Sequence, residues 1–472
     1  MPRSSVFTLL AATALIRSPL AAQRAPLDSA RVTQLLSLLK ASDSMVCELA
    51  GETISDRLGW GFESRLLPMP MPMPMPTPMP MPMMHRVDAA WRGHMPRIHI
   101  HRIRDGGWRG EFGDAASLGA FRAALRDDNA CVRNLAARVL GRARPAGTYE
   151  LFAGLLGDPK AGLRATGALG LGELGDPRAS GPLAAALRDG EPDVRALAAR
   201  GLGELGDSTS YAALVRALGD AAAPVRRTAA WALGELGDTR AIDPLTTALK
   251  DQAAEVRELA AWALGELGDE RAVRALGGTL TDPSPAVRRV GVWALGELGG
   301  GDAVDPLLAV LRDRDSATRA AAAHALGQIA SRRAIAPLGG VVGDESARVR
   351  QAALWALGEI ADAAGIDAVS RALTNADPST RQLAAWALGE IADARGVAAL
   401  SPVLQDHDPD VAVAAAWALG EIASPQASAA LRAALSGPST EVREAARWAL
   451  AQIEDDGPRP RVRARPRVKN KI

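Results

Sequence analysis

The stretch that decides the fold is Ala260–Asp269, "AAWALGELGD". It recurs almost letter for letter at Ala229–Asp238 and, with Ile for Leu and Ala for Gly, at Ala384–Asp393. Its first acid serves as a ruler. Glu173, Glu204, Glu235, Glu266, Glu297, Glu359, Glu390 and Glu421 all fall on a 31-residue spacing, with Gln328 and Gln452 in the two remaining slots. One step back lands on Arg142, so eleven units fit between Asp114 and Asp455 without an insertion. A fixed period of roughly 20–50 residues marks an array whose units bury their apolar faces on one another.

Each unit reads as two helices. From Val256 the apolar residues Val256, Leu259, Ala260, Ala263, Leu264 and Leu267 fall at offsets 0, 3, 4, 7, 8 and 11, one face of an α-helix. Gly268 ends that helix because it accepts the left-handed conformation such ends need. Asp269 then caps the next one by accepting from its free amides. In the first helix of several units a proline (Pro182, Pro244, Pro306, Pro337) stands early, where a kink is expected.

Composition agrees with closely packed helices. Hydrophobic residues make up 48% of the 472 and aromatics only 4%, so the core is chiefly Ala, Leu and Val. Two cysteines are too few for a disulfide framework. The net charge of +1 hides an asymmetry: removing the seven basic residues of the last stretch leaves 48 basic against 54 acidic residues.

On these residues the chain resembles HEAT repeats, in the short 31-residue form named after phycobilisome lyases. The resemblance implies an all-α fold, a right-handed α-α superhelix of eleven helical hairpins over residues 114–456. It also implies a ladder in which an acid between the two helices meets an arginine of the second. The acids map to Asp127, Asp158, Asp189, Asp220, Asp251, Asp282, Asp313, Asp344 and Asp406. The arginines map to Arg133, Arg164, Arg195, Arg226, Arg257, Arg288, Arg319, Arg350, Arg381 and Arg443. Asn375, Ala412 and Gly437 break the pattern, so the ladder is expected to weaken toward the C-terminal end. The family includes lyases and a diiron hydroxylase, but the hydroxylase type needs His-Glu pairs and none occurs here. With no phosphate loop and no Cys/His zinc spacing, neither enzymatic activity nor a cofactor is expected. A lyase-like enzyme stays as an alternative.

One slot of the second helix is unusual. Trp231, Trp262, Trp293, Trp355, Trp386, Trp417 and Trp448 all stand four residues before the ruler position, with Leu169, Arg200 and His324 as exceptions. The slot lies about 130° from the centre of the apolar face, at ~100° per residue. Glu258 and Glu266 flank it in the quoted unit. Each indole either packs flat on the next unit's helix or lines a concave groove that receives a protein or peptide partner. Both hold if one face is packed and the other open.

Outside the array the chain is irregular. Arg3 and the apolar run Val6–Ile16, followed by "SPLAAQ", read as a signal peptide over 1–22, which places the chain in the periplasm or outside the cell. Residues 23–57 read as a degenerate capping repeat in which Cys47 takes the ladder-arginine slot. Stacking would bring Cys47 near Cys131, and export would let the two oxidise to a disulfide. Residues 58–113 hold the alternating "PMPMPMPMPTPMPMPMM" of Pro68–Met84, an extended linker. A small hairpin around Asp105–Gly107 follows. The methionines between Met69 and His101, with His85, His94, His99 and His101, also suit Cu(I), so a copper-binding envelope protein is a second alternative. The tail 457–472 carries Arg459, Arg461, Arg463, Arg465, Arg467, Lys469 and Lys471 and no acid. It either solubilises the chain or meets an anionic surface or acidic partner. Nucleic acid is not the expected partner, and no stretch is long and apolar enough to span a membrane.

Overall fold

The computed structural model describes residues 29–40 and 115–454. The proposed signal peptide, Met-Pro linker, hairpin and basic tail, and Cys47, lie outside those residues. The described chain divides into two compact units, residues 29–40 with 115–298, and residues 299–454. Every element in both is helical.

Unit 1 begins with the helix Ser29–Lys40, which packs on Ala115–Ala124 and Ala130–Ala143 and so caps the first repeat. Lys40 forms an ion pair with Asp127. The ladder acid of the first repeat thus has a cation at the end of this helix. Six helical hairpins follow in unit 1 and five in unit 2, which makes the expected eleven.

The hairpin at the quoted stretch is representative. The second helix, Ala254–Leu267, buries Val256, Leu259, Ala260, Ala263 and Leu264 as its spacing requires. Gly268 closes it at φ 66°, and Asp269 accepts a hydrogen bond from the Arg271 amide. The next first helix opens there with a 3₁₀ turn, Glu270–Ala272, before the α-helix Val273–Thr279. This two-part helix corrects the expected proline kink. The same 3₁₀-to-α change occurs at Ser208–Ala217 and Ala363–Ala372, which contain no proline. Pro244 and its counterparts sit within the first turn of the α segment, where no intrahelical acceptor awaits their missing N–H.

Two layers result within each unit. Successive second helices lie directly against one another, while successive first helices barely meet. The cause is side-chain size. A Cβ added to Gly172 would lie 2.8 Å from the Gly201 Cα of the next repeat, and one on Gly203 would lie 2.8 Å from the Ala232 Cα. Only small residues let helices approach that closely. The second helices therefore form the more tightly packed layer of each unit.

The division at Leu298/Gly299 has a local signature. Gly300 stands where the earlier repeats carry a capping aspartate, and the 3₁₀ turn after it has no side-chain cap. Gly299 and Gly300 both adopt positive φ, 66° and 78°.

Candidate functional site

Beneath any binding surface lies the frame that holds it. In six of the second helices the arginine one turn in reaches the acid of the following repeat. Arg195 donates Nε and Nη2 to the two oxygens of Asp220 at 2.7 and 2.8 Å, and Nη1 to the carbonyls of Asp189 and Gly190. The same fork joins Arg164 to Asp189, Arg226 to Asp251 and Arg257 to Asp282. It recurs in unit 2 between Arg319 and Asp344 and between Arg381 and Asp406. Each acid also accepts the backbone amide two residues on, as Asp220 does from Ala222, which starts the next helix. The guanidinium fork holds the carboxyls of Asp189, Asp220 and Asp251 below the ordinary range and raises the arginines in turn.

The ladder weakens where the sequence breaks. Asn375 removes a carboxylate, and Arg350 instead lies 3.4 Å from the Thr380 hydroxyl and 3.5 Å from Asp377. Ala412 supplies no guanidinium, and Arg443 donates to the carbonyls of its own repeat, Gly437 and Pro438.

On the second helices, the tryptophans occupy the seam between repeats. Trp262 and Trp417 are buried, at 6% and 8% exposure, and Trp231, Trp293, Trp355, Trp386 and Trp448 are half-buried. In every case the six-membered ring rests on a glycine of the preceding repeat, not of the next one. A Cβ added at Gly203, Gly234, Gly265, Gly327, Gly358, Gly389 or Gly420 would come within 2.9 Å of that ring's Cζ3. Real Cβ atoms do not come so close. Each indole therefore has one edge locked into its neighbour, and in five cases part of the ring faces solvent. His324, which shares the slot, stacks on Trp355 with ring centroids 4.3 Å apart and planes 8° from parallel. Burial lowers the His324 pKa, which keeps the ring neutral.

The acids lie one helical turn beyond the indoles. Glu235, Glu266 and Glu297 in unit 1 and Glu421 in unit 2 are exposed, and Glu359 and Glu390 half-buried. Desolvation, followed by repulsion from Glu297, raises the Glu266 pKa. One turn before Trp262, Glu258 is buried at 8% exposure with Oε1 lacking a hydrogen-bond partner, and burial raises its pKa despite Arg289 and Arg227 nearby. At the N-terminal end the slot changes character. Arg138, Leu169 and Arg200 replace tryptophan. Arg142 there bonds Glu173 at 2.9 Å, and Arg200 bonds Glu204 at 2.8 Å.

Cys131 is disulfide-bonded. Cys47, the chain's other cysteine, lies outside the described residues. Among the described residues no group of three or more His, Cys, Asp or Glu side chains is placed to hold a metal ion, and no helix is long and apolar enough to cross a membrane.

Sequence reasoning missed the glycine under each indole. Its signal was present: a glycine stands 28 positions before every tryptophan of the row, as Gly234 does before Trp262. In the last described repeat that position is Ala451.

Sequence comparison matches HEAT repeats over residues 118–193, 180–258, 242–316, 304–379 and 366–451. Comparison with curated proteins finds no match. Among solved structures, Kap95p in complex with RanGDP superposes with a TM-score of 0.54 at 12% identity, covering 95% of this chain and 66% of that one. An engineered protein aligns over 72% of this chain and 99% of its own, at 22% identity and a TM-score of 0.42. The complex of CpcE and CpcF of phycocyanin lyase from Nostoc sp. PCC7120 aligns at 25% identity over 48% of this chain and 93% of that one, with a TM-score of 0.32. Only the first of these superpositions is close enough to speak to the fold, and it speaks to nothing else.

Proposed function

The chain belongs to the HEAT-repeat family, and from that premise we propose that it is an exported, non-catalytic scaffold holding an extended protein or peptide partner along the concave face of its second helices. The observation that carries this reading is the repeated pairing of a half-exposed indole with an acid one turn away, as in Trp355 with Glu359 and Trp386 with Glu390. Indole faces receive proline rings, aliphatic stems and cations, and neighbouring carboxylates favour a basic segment. Because the inner edge of each indole is fixed on a glycine, little side-chain freedom remains to be lost on binding. Export rests on the Val6–Ile16 run, and the disulfide at Cys131 is in keeping with an oxidising compartment.

The test is capture from an envelope extract of the native host by the full chain, compared with two variants. Trp355→Ala/Trp386→Ala/Trp417→Ala removes the indoles. Glu359→Gln/Glu390→Gln/Glu421→Gln keeps the shape and removes the charge. A partner retained by the wild type should be lost from the first variant and weakened at least tenfold in the second, with the helical circular dichroism of the second unchanged. Undiminished capture by both variants would place the partner site elsewhere and leave the tryptophans as packing between repeats.

A further inference from the structure

The two units carry different charge on the same stripe. In unit 1 the tryptophan slot and the slots one turn either side include five basic residues, Arg138, Arg142, Arg200, Arg227 and Arg289, interleaved with acids. In unit 2 the same three slots hold Glu359, Glu390, Glu421 and Glu444, and no Lys or Arg. His324, the one other titratable group there, is held neutral by burial. In these slots unit 2 thus carries indoles and carboxylates and no cation, and its last helix, Thr440–Glu454, leads directly into the most basic segment of the chain.

That segment has a second regularity. Its seven basic residues all occupy odd positions from 459 to 471, and Pro460, Val462, Ala464, Pro466, Val468 and Asn470 occupy the even ones, apolar in all but the last. Laid out extended, it presents a basic side and an apolar side, because alternate residues point in opposite directions. The face of unit 2 offers the matching pair of rows, indoles and carboxylates about one helical turn, or 5–6 Å, apart. Reach agrees as well. Eighteen residues follow Glu454, enough to span about 60 Å at ~3.3 Å each. Five stacked helices at about 8–10 Å spacing make a row of about 40 Å.

We infer that the tail of this chain docks on the Trp/Glu row of its own second unit, with the basic side toward Glu359, Glu390 and Glu421 and the Pro/Val side on the indoles. The tail is then a built-in competitor that an external partner must displace. The inference rests on the reading that this row is the partner surface, and it names the chemistry of the segment the row accepts.

The experiment uses the full chain with Arg459, Arg461, Arg463, Arg465, Arg467, Lys469 and Lys471 changed to Ser, and a labelled synthetic peptide of residues 457–472 as probe. The neutralised chain should bind the peptide, and affinity should fall at least tenfold between low and 0.5 M salt. Wild-type chain should bind it at least tenfold more weakly, because a tethered tail acts at an effective concentration near millimolar. Adding Glu359→Gln/Glu390→Gln/Glu421→Gln to the neutralised chain should cost a further tenfold. The inference is overturned if the neutralised chain ignores the peptide, if wild type binds it equally well, or if the glutamine changes have no effect. Dimers of the wild type that dissolve on tail neutralisation would also overturn it, by assigning the tail to a second copy. Partner capture lost in the tryptophan variant would stand through any of these failures, so the two readings are separable.

Discussion

Units 1 and 2 are built on one 31-residue plan and carry it out with different residues. In unit 1, Gly175, Gly206, Gly237, Gly268 and Gly299 end second helices in the left-handed conformation. In unit 2 the same position is taken by Ala330, Ala361, Ala392 and Ala423, at φ of 50–54°. From Arg164 to Asp282 the ladder of unit 1 is continuous, whereas that of unit 2 is interrupted at Asn375, Ala412 and Gly437. The regular unit has mixed charge along the tryptophan stripe, and the unit that departs from the plan has carboxylates there and no cation. Repeat number and packing are thus set apart from surface charge, which varies freely on a constant frame.

Four changes break or sharpen that comparison, and the first should have the largest effect. Arg257→Ala leaves the Asp282 carboxylate without its fork and the Asp251 carbonyl without its donor, in a pair that is only 14% and 9% exposed. It should cost about 2–4 kcal/mol in urea unfolding. Arg350→Ala, which faces no carboxylate fork, should cost clearly less, and Asn375→Asp should restore about 1 kcal/mol to unit 2. Equal losses at Arg257 and Arg350 would mean the fork is not what distinguishes the units.

The second change tests the seam. Gly358→Ala drives a methyl into Trp386 and should destabilise unit 2 by about 1–3 kcal/mol, with a shift in indole fluorescence. Pairing it with Trp386→Leu should recover part of the loss. A neutral Gly358→Ala would show that the indole is not seated as described.

How much of this was legible beforehand follows from what each feature depends on. Period, helix pairs, caps and ladder repeat at fixed spacing, so local chemistry writes them directly into the sequence. Glycine at 268 and aspartate at 269 declare a helix end and a helix start wherever they stand together. Placing each indole on the preceding repeat required a contact between residues 28 positions apart, which helical periodicity within one unit does not contain. The 3₁₀ opening of the first helices from the third repeat onward was hidden for a different reason. Prolines drew attention to the position, yet the turn forms equally at Ser208–Ser210 without one.

The third change concerns helix ends. Ala361→Gly should stabilise unit 2 and Gly268→Ala should destabilise unit 1, each by about 1 kcal/mol, because a Cβ is strained at positive φ. Melting temperatures of the two variants check it, and shifts of the same sign would contradict it.

The smallest effect is expected at Glu258. Burial raises its folded pKa, so its favourable contribution is present below the unfolded value of about 4.3 and lost as pH rises through the folded value. Glu258→Gln should therefore stabilise at pH 7, by under about 1 kcal/mol, and be neutral near pH 4. The ladder acid Asp220 and the cap acid Asp393 run the other way. Their pKa values are depressed, Asp393 to about 2 by its bonds to Arg395, so their contribution is present above about pH 3.9 and fades as pH falls. Acid titration of wild type and variant by circular dichroism separates the two signs.

The central claim is that the half-exposed indoles of the second helices are a binding surface as well as packing. Hydroxyl-radical footprinting of the full chain, with and without a captured partner, tests it most directly. Side-chain oxidation of Trp355, Trp386 and Trp448 should fall on binding, while Tyr149 and Tyr211 on the first helices stay unchanged. Protection confined to the first helices, with the indoles oxidised as before, would contradict the account.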